Sequence, residues 1–306
     1  MIVVAGEALI DLLVAPDGQL AATAGGGPFN TARTIARLGG EVAFLGRLST
    51  DRFGRGLRAA LGRDGVDLRW APDTDDPTTL AVAEVDERGA ATYRFHLRDT
   101  SAPGLEAATV EAAFAESPAA VHLGTLGLAV EPIASVLAAS LPAVPAATLV
   151  MVDVNARPTV IRDRAAYLTR LDGILARADL VKVSTEDLAY LAPDRPSSEA
   201  APAVLARSGG IVLVTDGARP VVVLGRGWSR SVPVPPVTVI DTVGAGDAFG
   251  GGFLARWVER ARGRGDLADA DAVEDALLVG IEVAGLTCGR SGAEPPLRSE
   301  VTRLTT

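Results

Sequence analysis

Between Asp241 and Leu254 the chain reads DTVGAGDAFGGGFL, with one acid, Asp247, framed by Gly246 and Ala248. Small residues at a helix start let backbone N–H groups converge on one point. The helix dipole adds partial positive charge there, worth about 0.3–1 kcal/mol and up to about 2 when partly buried. Gly244, Ala245 and Gly246 could thus form an anion hole that needs no lysine. A carboxylate beside a bound phosphate would be repelled unless it had a task, such as accepting a proton from an attacking hydroxyl. The plainer alternative is a tight turn whose acid caps the helix. Three further glycines, Gly250, Gly251 and Gly252, weigh against it. Each costs about 1 kcal/mol relative to alanine in a helix interior, and close approach by a ligand or a neighbouring element is the usual reason for such a run.

The amino-terminal half holds a second set of polar residues. In GEALIDLL, Asp11 lies just beyond the first apolar run, and GGGPFNTARTIARLG gives a glycine turn followed by Asn30 at a helix start. A carboxylate only accepts hydrogen bonds whereas an amide also donates, so Asp11 and Asn30 together could hold vicinal hydroxyls. Taken singly, each also reads as a loop acid or an N-cap asparagine.

Composition narrows the chemistry. The 306 residues are 48% hydrophobic and 22% charged, an ordinary globular balance with enough apolar residue for a sizeable core. A net charge of −9 argues against nucleic acid or an anionic membrane as the main partner. One cysteine, Cys288, excludes an intramolecular disulfide framework, and with only His96 and His122 a histidine-rich metal centre is also excluded. Lys182 is the only lysine and follows no glycine turn, so the chain carries no P-loop. The start, MIVVAGEALIDLL, lacks a basic n-region and contains Glu7 and Asp11, unlike a signal peptide. The long uncharged run from Pro132 to Val152 is interrupted by Pro142 and Pro145. The expected location is the cytoplasm.

These side chains need a scaffold. Apolar, β-branched runs at Ile2–Ala5, Val42–Leu45, Val121–Leu123, Leu149–Val154, Leu180–Val183, Ile211–Thr215 and Val221–Leu224 read as strands. Helical patterns fall between most of them, at Phe29–Leu38, Arg52–Arg63, Pro132–Ser140, Ser197–Ala206 and Ala272–Thr287. Downstream of Asp247, Phe249, Phe253, Trp257 and Val258 suggest an amphipathic helix. Strands without polar alternation, separated by helices, predict an α/β fold with a mainly parallel sheet covered on both faces. Thr78–Val85 and Ala91–Leu97, joined by DERG, read instead as a hairpin. With an excursion over Leu12–Ala22, they predict a small β-flap. No internal repeat or low-complexity linker divides the chain, so a single domain is expected, with lid segments near 12–24 and 78–98.

This combination resembles the ribokinase-like, or PfkB, carbohydrate kinases. The resemblance runs from VVAGEALIDLL at residue 3 to CGRSGAEPP at residue 288, and DTVGAGDAFGGGFL is its most specific element. DVNARP (Asp153–Pro158) is similar to the Asp-x-Asn-x-Arg-Pro of fructokinase-like members, and VKVSTEDL and VTDG stand where nucleotide-side motifs are expected. The resemblance implies a three-layer sandwich with a small β-lid, with Mg²⁺ and ATP as cofactors and a potassium site in many members. It makes Asp247 the catalytic base and Gly244, Ala245 and Gly246 the anion hole. Asp11, Gly27 and Asn30 would bind sugar, with Arg157 meeting substrate or the transferred phosphoryl group. Lys182, Ser184, Thr215 and Gly217 would serve ATP, and Asp241 and Val243 a monovalent cation. The metal-associated motif departs from the family's Asn-x-x-Glu, reading Ser184-Thr185-Glu186-Asp187. This leaves open which of Glu186 and Asp187 organises metal-bound water.

The expectation is therefore an ATP-dependent sugar kinase acting on fructose or a similar ketose. A 2-keto-3-deoxygluconate kinase comes next, because Arg98 could pair with a sugar acid's carboxylate. That family branch has aromatic residues before this arginine, where His96 and Leu97 stand here. Tyr93 and Phe95 could pack over a neutral sugar or within the flap. Ribose and nucleoside kinases follow, and a sugar- or nucleotide-binding regulator without catalysis is the alternative of a different class. A homodimer through the flap is a further expectation. A dinucleotide-binding oxidoreductase is disfavoured, since no Gly-x-Gly-x-x-Gly follows the first strand.

Overall fold

The runs Ile2–Ala5, Leu149–Asp153 and Ile211–Thr215 are buried at nearly every position, which requires helices on both faces of their sheet. The protein was described from a computed structural model covering residues 1–86 and 91–305. Among these residues an eight-stranded sheet has the order 228–232, 221–225, 211–215, 180–184, 149–153, 120–124, 2–5, 42–45. The six strands from 211–215 to 42–45 pair in parallel, and the two strands beyond Ile211–Thr215 pair antiparallel.

Two apolar cores result, one on each face. One packs the helices Gly27–Arg37, Ala245–Glu259 and Ala270–Cys288 against Met151, Leu180 and Leu213. The other packs Ile133–Ser140, Arg164–Arg177 and Ser197–Ser208 against Val121, Val152 and Val181. This is the expected three-layer α/β arrangement. The uncharged run ending at Val152 divides into the helix Ile133–Ser140 and the strand Leu149–Asp153. Among the described residues no helix is long and apolar enough to cross a membrane.

A separate four-stranded sheet, in the order Leu20–Gly25, Leu9–Val14, Leu80–Val85, Ala91–His96, forms the flap. The excursion around Leu12–Ala22 forms two antiparallel strands of this flap, as expected. Part of the DERG turn lies outside the described residues.

The helix after Asp247 departs from the amphipathic expectation. Residues Asp247 to Trp257 are all buried, because the helix lies between the sheet and two neighbouring helices. Its glycines each face a different neighbour. A Cβ on Gly250 would sit 3.2 Å from Met151 Cε on the sheet, one on Gly251 2.7 Å from Thr34 Cβ, and one on Gly252 3.1 Å from Gly280 Cα. Close packing, not nucleotide approach, accounts for the run.

Candidate active site

Parallel α/β sheets present ligand sites at the carboxyl ends of their strands, where loops leave for the helices. Here Asp153, Ser184 and Thr215 end three adjacent strands, and Ser184 and Thr215 are register partners. Above this edge lies a cleft of ≈ 730 Å³ between the sheet and the flap. Of the residues expected at the site, Asp11, Gly27, Asn30, Arg157 and Lys182 line it. So do Val243, Gly244, Gly246 and Asp247.

Gly244 caps the helix Ala245–Glu259 with φ 76°, a left-handed conformation suited to glycine. The Ala245 N–H donates to Thr242 O at 3.2 Å, so it closes the turn and does not face the cleft. Gly246 and Asp247 occupy first-turn positions whose N–H groups have no intrahelical acceptor. Asp247 is 8% exposed. Burial pushes its carboxyl up to about 7, against the hydrogen bond from Asn30 and the charges of Lys182 and Arg157. Asn30 Nδ2 donates to Asp247 Oδ2 at 2.9 Å, and the other amide atom, Asn30 Oδ1, is buried without a partner. An unpaired buried acceptor beside a carboxylate is suited to a hydroxyl ligand.

Beneath the helix start, Lys182 Nζ donates to both Asp153 oxygens, at 3.0 and 2.8 Å. Burial alone would lower the lysine's pKa, but Asp153 holds it above the ordinary value. A Cβ on Gly246 would lie 3.0 Å from Lys182 Nζ, so the only lysine sits directly under the anion hole. On the flap side, Asp11 is pushed up to about 6 by burial, with Arg157 pulling the other way. Tyr93 and Phe95 also line the cleft, with ring centroids 6.4 Å apart.

Other expected residues lie elsewhere. Arg98 lines a different cavity, of ≈ 490 Å³, together with Arg162 and Arg170. Arg98, expected to meet the sugar, is not among the residues lining the cleft with Asp247. Thr215 Oγ1 donates to Val183 O at 3.4 Å, and Gly217 has φ 54° in the following turn. Asp241 accepts from Val243 N at 3.0 Å and Gly292 N at 2.9 Å, fixing the loop before the anion hole. Glu186 is exposed, whereas Asp187 is buried. Next to the loop, Val237, Ile281, Gly285 and Leu286 line an apolar groove of ≈ 850 Å³.

Glu7 was not anticipated as a site residue. It is 2% exposed; its Oε1 accepts from Gly27 N at 3.1 Å and from the Thr125 hydroxyl, and its Oε2 accepts from Gly127 N at 3.1 Å. Burial pushes it up to about 7, and the charge of Asp247 adds to that. Glu7 thereby holds the glycine turn in which Gly26 has φ 106°. An acid two residues beyond a fully apolar strand was the signal available for it.

A family model described as pfkB family carbohydrate kinase matches residues 1–300. Over 255 residues the chain is 34% identical to a fructokinase of Klebsiella pneumoniae, covering 82% of each chain. The crystal structure of a Xylella fastidiosa fructokinase with bound ATP matches with a TM-score of 0.90 and 31% identity, over 99% of this chain and 97% of that one. A Vibrio cholerae O395 fructokinase in its fructose, ADP and calcium ion bound form matches with a TM-score of 0.82 and 27% identity, over 99% and 95%. A lone acid at a glycine-capped helix start, bonded to an asparagine from the opposite half of the chain, is thus found in a protein that belongs to the pfkB family of carbohydrate kinases.

Proposed function

We propose that the protein transfers the γ-phosphoryl group of ATP to a hydroxyl of fructose or a close ketose. The pairing of Asn30 with Asp247 at the anion hole carries this reading. Asn30 Oδ1 and Asp11 hold neighbouring sugar hydroxyls, leaving the reacting hydroxyl against Asp247. A carboxyl near pKa 7 takes up that proton as the oxygen attacks in line, the role general-base catalysis requires near neutral pH. Phosphoryl transfer depends on positioning and charge stabilisation more than on covalent chemistry. Here the N–H groups at Gly246 and Asp247, the Lys182 ammonium and Arg157 supply the charge.

Among the described residues no group of three or more His, Cys, Asp or Glu side chains could hold a metal by itself. That fits a magnesium ion carried mainly by nucleotide phosphates and water, with exposed Glu186 as an outer contact. Magnesium bound in this way neutralises phosphate charge. Ser184, Thr215 and Gly217 line the nucleotide's path, the base enters the apolar groove at Val237 and Ile281, and the Asp241–Val243 loop takes potassium. Closure of the flap, with Tyr93 and Phe95 over the sugar, keeps water from the phosphoryl group. On the flap face opposite Asp11 and Tyr93, Leu20 is 67% exposed, and this is the surface we assign to a homodimer.

A neutral sugar is favoured over a sugar acid because Arg98 lines another cavity, leaving Arg157, opposite Asp11, as the cleft's arginine among the described residues. ADP release with Mg-ATP across fructose, ribose, 2-keto-3-deoxygluconate and nucleosides tests the assignment. Fructose is expected to give the highest kcat/KM; turnover confined to the sugar acid would overturn the ketose reading, and none on any substrate would favour a binding protein.

A further inference from the structure

We infer that Asp187 is a positioning residue for the sugar side of the cleft and not a residue that organises metal-bound water. Its two carboxylate oxygens are both taken by backbone amides. Oδ2 accepts from Ser184 N at 2.8 Å, and Ser184 Oγ returns the bond by accepting from Asp187 N at 3.0 Å. This reciprocal cap starts the helix Thr185–Leu191. Oδ1 accepts from Ala156 N at 2.7 Å, across 31 residues of sequence. The residue is 4% exposed and is not among those lining the cleft.

The bond to Ala156 leads directly to Arg157. The Ala156 carbonyl accepts from Arg157 Nη1 at 3.3 Å, so the residue whose N–H Asp187 holds also meets the guanidinium through the next peptide's carbonyl. Arg157 in turn faces Asp11 and Asp247, whose carboxyls feel its charge. Just before Ala156, Asn155 has φ 35°, a left-handed turn conformation that asparagine tolerates better than other non-glycine residues. Asp187 therefore joins the nucleotide-side strand end at Ser184 to the loop that aims the cleft's arginine. The shorter arm of aspartate, relative to the glutamate of the usual motif, suits this double backbone bond. The exposed Glu186 beside it is left to face a hydrated metal ion.

The inference rests on the kinase reading only for its kinetic test, so two readouts are needed. In the ligand-free full chain, hydrogen–deuterium exchange over residues 154–161 is expected to be slow and to accelerate at least about tenfold in Asp187→Asn, because one of two N–H donors loses its acceptor. Unchanged exchange there would overturn the strut, whatever the activity. In steady-state assays Asp187→Asn is expected to raise the KM for fructose about tenfold or more, with the Mg²⁺ concentration for half-activation within about twofold of the parent chain. A raised Mg²⁺ requirement with an unchanged fructose KM would restore Asp187 to the metal. Asp187→Glu separates the two cases again and serves if the asparagine variant does not fold. The strut predicts a raised fructose KM as the longer arm displaces Ala156, and a metal role predicts full function. Finally, Asp187→Asn placed on Arg157→Ala is expected to add less than about twofold to the fructose KM, since the two act in series; full additivity would overturn their coupling. Absence of turnover in the parent chain would count against the kinase reading alone, while the exchange measurement would still decide the strut.

Discussion

Asn30 and Asp247 are separated by 217 positions in sequence, yet the amide of one donates to the carboxylate of the other at 2.9 Å in a buried setting. The bond joins the helix Gly27–Arg37, which carries the sugar-side glycine turn, to the helix whose start forms the anion hole. It also opposes the rise in the Asp247 pKa caused by burial. Replacing Asn30 by aspartate would set two carboxylates in contact, and like charges that close cannot both ionise. Asn30→Asp should move the acid limb of kcat/KM, expected near pH 7 in the parent chain, upward by at least about one pH unit. A pH–rate profile on fructose checks this. An unmoved limb would mean that Asp247 is not the group whose ionisation limits the reaction.

Removing the base itself gives a simpler outcome. Asp247→Asn keeps size and hydrogen-bonding capacity but cannot accept the hydroxyl proton. A loss of about 10²–10⁴ in kcat is expected, with the Kd for ATP, measured calorimetrically, changed only a few-fold. Near-normal kcat would remove Asp247 from the base role.

Stability should also depend on pH in a defined direction. Glu7 and Asp247, both pushed up to about 7, and Asp11, pushed up to about 6, hold protons in the folded chain that the unfolded chain has released. Their contribution is fully present below about pH 4 and is lost as pH rises through 6 to 7. Glu259 and Asp275 behave oppositely. Burial would raise them, but Arg298, Arg256 and Arg262 hold them low, so their contribution is lost only in more acidic solution. Between pH 5.5 and 8 the ligand-free chain should therefore lose stability, a tenfold difference in proton affinity between folded and unfolded chains corresponding to about 1.4 kcal/mol. Denaturant titrations at the two pH values measure it, and Asp247→Asn should flatten the slope. A chain more stable at pH 8 would contradict the burial of these acids.

Much of this arrangement was legible in the sequence, and the exceptions share a cause. Strand runs such as Leu149–Asp153 declare themselves because burial on both faces leaves no polar alternation. Asp247 and Asn30 could be recognised because each stands in a local pattern, a glycine-rich helix start. Glu7 and Asp187 act through partners at Thr125 and Ala156, which no local pattern reveals. The cavity that Arg98 lines was not legible for the same reason, since only the path of the flap decides it. The run Gly250–Gly252 announced close approach but not its three separate neighbours.

Those neighbours give the glycines different tolerances. Alanine at Gly250 would meet the flexible end of Met151 at 3.2 Å, and the helix gains about 1 kcal/mol from the change, so Gly250→Ala should be near neutral. Alanine at Gly251 would meet Thr34 Cβ at 2.7 Å and Thr31 O at 3.1 Å, on the helix that carries Asn30. Overpacking of this kind costs about 1–3 kcal/mol, and it would also push Asn30 from Asp247. Gly251→Ala should lower both Tm and kcat, while Gly250→Ala changes neither by much. Equal effects at both positions, read by thermal melts and initial rates, would refute this assignment of neighbours.

Lys182 requires a test that separates charge for the phosphate from charge for the fold. Its side chain is 6% exposed and that of Asp153 1%, and both Asp153 oxygens depend on its ammonium. Lys182→Met leaves a buried, unpaired carboxylate, which destabilises by about 3–5 kcal/mol, so lost activity in that variant alone would prove little. Replacing both members, Lys182→Met with Asp153→Leu, removes the unpaired charge and should recover most of the lost Tm, as apolar replacement of buried pairs commonly does. If the ammonium beneath Gly246 also stabilises charge on the transferred phosphoryl group, this refolded double variant will remain slow. A kcat at least about 100-fold below the parent chain is expected, of the size seen when one oxyanion-type donor is removed. A double variant with normal Tm and near-normal kcat would make Lys182 purely structural and leave the phosphate to the helix amides and Arg157.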